Sequence, residues 1–200
     1  MKRQKDLTIL TMMIGLILGA CAPVTRAQTT STEVPTNMPV KTPTDSVVLK
    51  NDPQNTTYLI DGQEIALVNG VAEKELAPGS ASKQVTRYFG NVIDIDLNSD
   101  GLMDSAFLLV QDNGGSGTFY FVAAAIRTQD GYTGTNGIFL GDRIAPQSTT
   151  LDPNNSSQFI VNYADRAPND PMSAQPTLGV SRTFKLENGT LVEVIATPTS

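Results

Sequence analysis

The stretch Tyr58-Leu59-Ile60-Asp61-Gly62-Gln63-Glu64-Ile65-Ala66-Leu67-Val68-Asn69-Gly70-Val71 decides the fold class. Short apolar runs alternate with Asp-Gly and Asn-Gly. Those dipeptides are strong two-residue hairpin signals, because both turn positions need positive φ. The pattern predicts a three-strand meander at the start of a domain. Further strand candidates follow at 84–97, 104–112, 118–127, 137–144, 157–163, 180–187 and 190–196, with Asn188-Gly189 turning the last pair. Ala72–Leu76 or Ser80–Thr86 is the candidate for a short helix. No long apolar stripe of helical period occurs. The expected class is mainly β: a single antiparallel sandwich or partly closed barrel.

Outward from this region the composition changes. Residues 22–46 hold four Pro, seven Thr and two Ser and have no apolar periodicity. Such a segment buries too little surface to offset its ordering entropy, so a disordered, solvated tether is expected. The domain boundaries read from sequence are 1–20, 21–55 for the tether and 56–197 for the β domain. At the N-terminus, Lys2, Arg3 and Lys5 precede the apolar run Leu7–Leu18. Twelve helical residues span roughly 18 Å, short of the ~30 Å hydrocarbon core, as in the h-region of a signal peptide. The run ends in Leu18-Gly19-Ala20-Cys21, with the chain's only Cys.

That tetrapeptide resembles the bacterial lipobox. The resemblance implies cleavage before Cys21, lipidation of its thiol with a diacylglyceryl group, and often a further acyl chain such as palmitate. Each buried CH₂ contributes about 0.8 kcal/mol, and two or more chains hold a protein stably. The expected partner is therefore a membrane, reached through the lipid anchor. The expected location is exported, on the cell membrane or outer membrane of a bacterium.

Charge excludes other partners. The chain has 14 Lys and Arg against 20 Asp and Glu, a net of -6. Loss of residues 1–20 removes Lys2, Arg3, Lys5 and Asp6, leaving 11 basic and 19 acidic groups and a net of -8. No basic patch is available for nucleic acid or anionic headgroups. With no His, a Ser-His-Asp triad and an imidazole zinc site are both excluded.

One segment carries chemistry. Counting from Asp96, oxygen side chains fall at positions 1, 3, 5 and 9: Asp96, Asn98, Asp100 and Asp104, with Gly101 at position 6. This resembles the D-x-[DN]-x-D-G-x-x-D calcium loop of EF-hands, dockerins and integrin-type propeller loops. Calcium takes six to eight hard oxygens, and the glycine allows the sharp turn. The resemblance implies Ca²⁺ held by Asp96, Asn98, Asp100, the Leu102 carbonyl and Asp104, in a structural role. Position 12 is Phe107 where an EF-hand has Glu, and both flanks are strand-like. The β-hairpin form of the loop therefore fits better than helix-loop-helix. Asp94, two residues upstream, is a candidate for the same field.

Other segments read more plainly. Asp112–Thr118 is Gly-rich but lies between two strands and lacks a Lys, so it reads as a hairpin turn rather than a phosphate loop. Arg166–Pro176 is a long loop with three Pro, where Asp165, Arg166 and Asp170 are the polar groups to inspect. Tyr88, Phe89 and Phe119-Tyr120-Phe121 read as core and sheet surface rather than a sugar platform. The blocks at 86–90, 115–121 and 139–143 resemble those of exported bacterial proteins with no established activity.

The sequence thus predicts a lipid-anchored, calcium-binding β domain with a non-catalytic binding or envelope role. Its protein or glycan partner is not readable. The alternative is a carboxylate- or metal-dependent hydrolase using a pair such as Asp94 with Asp104. An enzyme is the less favoured reading.

Overall fold

The computed structural model describes residues 52–195. The signal-peptide run, Cys21 and residues 22–51 of the tether lie outside these residues, whereas 52–55, expected to be the end of the tether, form a 3₁₀ turn bonded to Asn69 and Gly70 of the β domain. The described chain is mainly β and forms three antiparallel sheets with no helix longer than one 3₁₀ turn at Pro53–Asn55. The sheets stay open at their edges, so the architecture is the sandwich and not the barrel.

The strands are β1 (Thr57–Ile60), β2 (Gln63–Ala66), β3 (Val71–Glu75), β4 (Lys83–Ile95), β5 (Asp104–Asp112) and β6 (Phe119–Thr128). They continue as β7 (Gly131–Gly134), β8 (Ile138–Asp142), β9 (Ala145–Asp152), β10 (Asn155–Asp165), β11 (Leu178–Glu187) and β12 (Thr190–Val194). The central sheet runs β3-β4-β5-β6-β7, and β8 pairs with the other half of the β6 edge. A second sheet runs β12-β11-β10-β9, and β1-β2 is a separate hairpin.

Successive side chains on a strand point to opposite faces. On β5 and β6, Ala106, Leu108, Val122 and Ala124 pack with Phe159, Val161, Tyr163, Phe184 and Leu191 of the second sheet. The intervening Phe107, Leu109, Phe121, Ala123 and Ala125 pack with Tyr58, Ile60, Ile65 and Leu67 of the hairpin side. Both faces of the central strands are covered, which is why 106–110 and 121–126 read as unbroken apolar runs rather than alternating ones. Gly134 allows the close approach of β7 to β1, since a Cβ there would collide with the Thr57 carbonyl and the Tyr58 ring.

The structure corrects three expectations. The meander is broken: Asn69-Gly70 turns the chain, but only a single Val68–Val71 bridge joins its arms, and β3 pairs with β4 instead. The helix candidate Ala72–Leu76 falls in β3 up to Glu75, and Ser80–Thr86 spans a turn and the start of β4. Glu73, Lys74 and Glu75 favour a helix weakly, but pairing from Val71–Arg87 to Glu75–Lys83 overrides that preference on a solvent-exposed edge.

Polar side chains tie the two sheets at one edge. The Asn136 amide acts as a stand-in strand: Nδ2 donates to the Leu191 carbonyl (3.0 Å) and Oδ1 accepts from the Leu191 N–H (2.8 Å). Arg182 of β11 donates Nη1 to the Phe139 carbonyl of β8 (2.8 Å) and grips the Glu193 carboxylate of β12 with Nε (2.8 Å) and Nη2. Those Arg182 bonds hold the Glu193 carboxyl below its ordinary value, although burial opposes them. The stabilisation is present above the unfolded glutamate pKa and is lost as pH falls through the lower folded one. Glu193→Gln is therefore expected to cost about 1 kcal/mol or less at neutral pH, since the pair is partly exposed. The gap to wild type should close in acid, which melting curves of both proteins across pH 2–7 will check.

The long loop after β10 is tied down. Arg166 donates Nε to the Ala174 carbonyl (2.7 Å) and Nη1 to the carbonyls of Asp142 (3.2 Å) and Arg143 (3.0 Å). Asp165 accepts from the Arg166 N–H (2.7 Å) and Asp170 from the Ala167 N–H (3.1 Å). Arg166 thus braces the loop against the β8–β9 turn, while Asp165 and Asp170 fix its first residues locally.

Candidate metal centre

β4 and β5 form a hairpin whose last register pair is Ile95–Asp104, so residues 96–103 are the loop. Two positive φ values curl it, Ser99 at 61° and Gly101 at 84°. Glycine adopts the second without steric cost.

The side chains expected to ligate are stitched to the loop's own backbone. Asp96 accepts from the N–H groups of Asp100 (Oδ1, 3.1 Å) and Gly101 (Oδ2, 3.0 Å). Asn98 Oδ1 accepts from the same Asp100 N–H (3.1 Å), and its Nδ2 donates to Asp100 Oδ2 (2.9 Å). Asp100 Oδ1 accepts from the Leu102 N–H (2.8 Å). The structure thus brings Asp96, Asn98 and Asp100 together around one turn. Asn98, Asp100 and Leu102 line one wall of an open pocket of about 420 Å³, with Ile126–Gln129 at the end of β6 opposite. The Arg127 guanidinium is directed at Tyr132, bonding its hydroxyl (3.0 Å) and lying 5.2 Å from its ring centre.

Asp104 is held differently. It is fully buried, and each carboxylate oxygen accepts a backbone N–H: Oδ2 from Leu97 (2.9 Å) and Oδ1 from Arg127 (2.7 Å). The residue therefore ties the loop's first turn to β6. Burial pushes its carboxyl above the ordinary value, the two N–H donors work against that, and the charges of Asp100 and Asp96 add to the rise.

Among the described residues, no three Asp, Glu, Cys or His side chains stand close enough to form a ready cage. The donor set still suits a hard cation. It consists of carboxylate, amide and backbone oxygens without nitrogen or sulfur, and each carboxylate oxygen that accepts one N–H keeps a second lone pair. Magnesium, which demands near-ideal octahedral geometry, suits it less.

Asp94 is not part of this group. It pairs with Ser105 across the strands, and its Oδ1 accepts from the Ser105 hydroxyl (2.8 Å). Because Asp94 faces with Ser105, it lies on the side of the hairpin opposite Asp104. The carboxylate pair suggested for a hydrolase is therefore not formed. Nothing in the sequence signals the Arg127 N–H, since a backbone donor 23 residues away has no side-chain signature.

Comparisons of the chain with known protein families, with curated proteins and with solved structures find no match.

Proposed function

We propose that this protein is an exported, lipid-anchored β domain, fixed to a bacterial membrane through Cys21 and stabilised by one Ca²⁺ in loop 96–104. Its role is non-catalytic, as a binding surface or as support for the cell envelope. The observation that supports the calcium reading is the buried Asp104 carboxylate at the end of the loop that gathers Asp96, Asn98 and Asp100 around one turn. The Asx bonds at Asp96, Asn98 and Asp100 would close any polar turn. Asp104 serves the scaffold without a metal by taking the Leu97 and Arg127 N–H groups, and a divalent cation in the loop would in addition offset the charges of Asp100 and Asp96 that disfavour its ionised form.

Extracellular calcium modules bind at about 10⁻⁴–10⁻³ M, so a surface protein can sit near saturation. Calorimetric titration of the mature chain should give one calcium per chain in that range. Asp100→Ala should give none, and equal heats from the two proteins would refute the site. The anchor is tested separately. Wild-type protein should sediment with membranes and carry the mass of its acyl chains, while Cys21→Ala should lose both. A Cys21→Ala protein that still carries lipid would remove the anchor from this account.

A further inference from the structure

At the other end of β5, seven residues and about 24 Å of strand from Asp104, lies a second recess. It has a volume of about 310 Å³ and is lined by Asp61, Gln111, Asn113, Phe119, Phe121 and Phe139. The geometry points to a subsite for a neutral pyranose sugar. This inference gives a ligand to the non-catalytic binding role proposed above and rests on that role, but not on calcium.

The floor is aromatic. The Phe139 ring lies 5.5 Å from Phe121 and 6.4 Å from Phe119, centre to centre, in tilted contact. Phe121 is buried as the sequence pattern predicts, whereas Phe139 is 48% exposed. An exposed ring supported from beneath by two others is a rigid apolar plate, suited to the C–H face of a sugar ring. Rings in direct contact leave no space for an ammonium group between them, so this is a platform and not a cage.

The rim supplies directional groups. Gln111 is only 3% exposed; its Nε2 donates to Thr86 Oγ1 (3.0 Å), and no described residue donates to its Oε1. Asn113 uses its Oδ1 to accept from Gln84 Nε2 (2.8 Å), which leaves its Nδ2 to donate. The Asp61 carboxylate, at the tip of the β1-β2 hairpin, has no hydrogen-bond or ion-pair partner among the described residues. The rim therefore offers two acceptor groups and one donor, and no Lys or Arg lines it. A hydroxylated ring satisfies that set, because each hydroxyl both donates and accepts. An anionic ligand would meet Asp61 with nothing to neutralise it. The volume sits at the small end of the range for ligand pockets, enough for a single sugar unit.

The test is saturation-transfer NMR on the mature chain with methyl β-D-glucopyranoside and N-acetyl-D-glucosamine, and tetramethylammonium as the cationic comparison. At least one sugar should receive saturation at its ring protons. Asp61→Asn, which keeps a residue tolerant of positive φ in the turn, should weaken binding about tenfold. Phe139→Ala should abolish it without lowering the melting temperature by more than a surface change does. EDTA should leave sugar binding in place. The proposal is overturned if neither sugar binds, if only tetramethylammonium binds, or if both variants bind like wild type. Any of those results leaves the calcium response of loop 96–104 untouched, so the two readings fail separately.

Discussion

Asp104→Ala is expected to destabilise the domain by about 2–4 kcal/mol, in EDTA as well as in calcium. The wild-type carboxylate takes one backbone N–H from Leu97 and one from Arg127 in a fully buried setting. A hydrogen bond to a charged group is worth about 1.5–3 kcal/mol, and a buried donor left unpaired adds its own desolvation cost. Part of this is offset, because the variant no longer buries a carboxyl that its surroundings push above its ordinary pKa. The remaining loss should appear as weaker resistance to urea with an unchanged m-value. Asp104→Asn keeps one acceptor oxygen but turns an NH₂ toward the second N–H, so it should recover only part of the loss. Stability equal to wild type for Asp104→Ala would mean that the carboxylate does not tie the loop to β6.

The same residue illustrates how far the sequence could be read. Spacing alone placed Asp104 with Asp96, Asn98 and Asp100, and Gly101 marked the turn between strands. Strand pairing then set the loop's limits at Ile95 and Asp104. What spacing does not carry is the direction in which a side chain is held. Asp104 faces inward because a backbone N–H of β6 meets it there, and Asp94 faces the other way because it is opposite Ser105.

The fold shows the same division. Asp61-Gly62 and Asn188-Gly189 turn hairpins because both residues of each pair take positive φ, and the flanking strands pair in register. Asn69-Gly70 has the same local geometry. Its strands nevertheless separate, since Ile65 and Leu67 are buried against the central sheet while β3 joins the edge of that sheet. A turn signal fixes a reversal of the chain, not which strands go on to pair. The sequence does not signal β7 and β9 because Gly131–Gly134 and Ala145–Asp152 are mostly small or polar, with Tyr132 and Leu151 as isolated large apolar residues and no alternation of burial. They are strands because exposed edges of β6 and β10 accept them.

The second large effect is that of calcium itself. A ligand that binds only the folded state stabilises it by RT ln(1 + [L]/Kd). At 10 mM calcium and a Kd of 10⁻⁴–10⁻³ M, that is about 1.4–2.7 kcal/mol. For a domain of this size, each kcal/mol moves the midpoint by about 2–4 °C. Asp100→Ala should remove this gain while changing stability in EDTA only slightly. Asp100 is exposed, and its carboxylate bonds only the Leu102 N–H and the Asn98 amide of its own loop. Asp104→Ala, by contrast, lowers stability under both conditions. The contrast separates an ion's contribution from that of the scaffold beneath it.

The most direct test of the central claim is a pair of melting curves for the mature wild-type chain, one in 10 mM calcium and one in excess EDTA. The account predicts a midpoint higher by about 3–10 °C in calcium, absent in Asp100→Ala. Superimposable wild-type curves would contradict it.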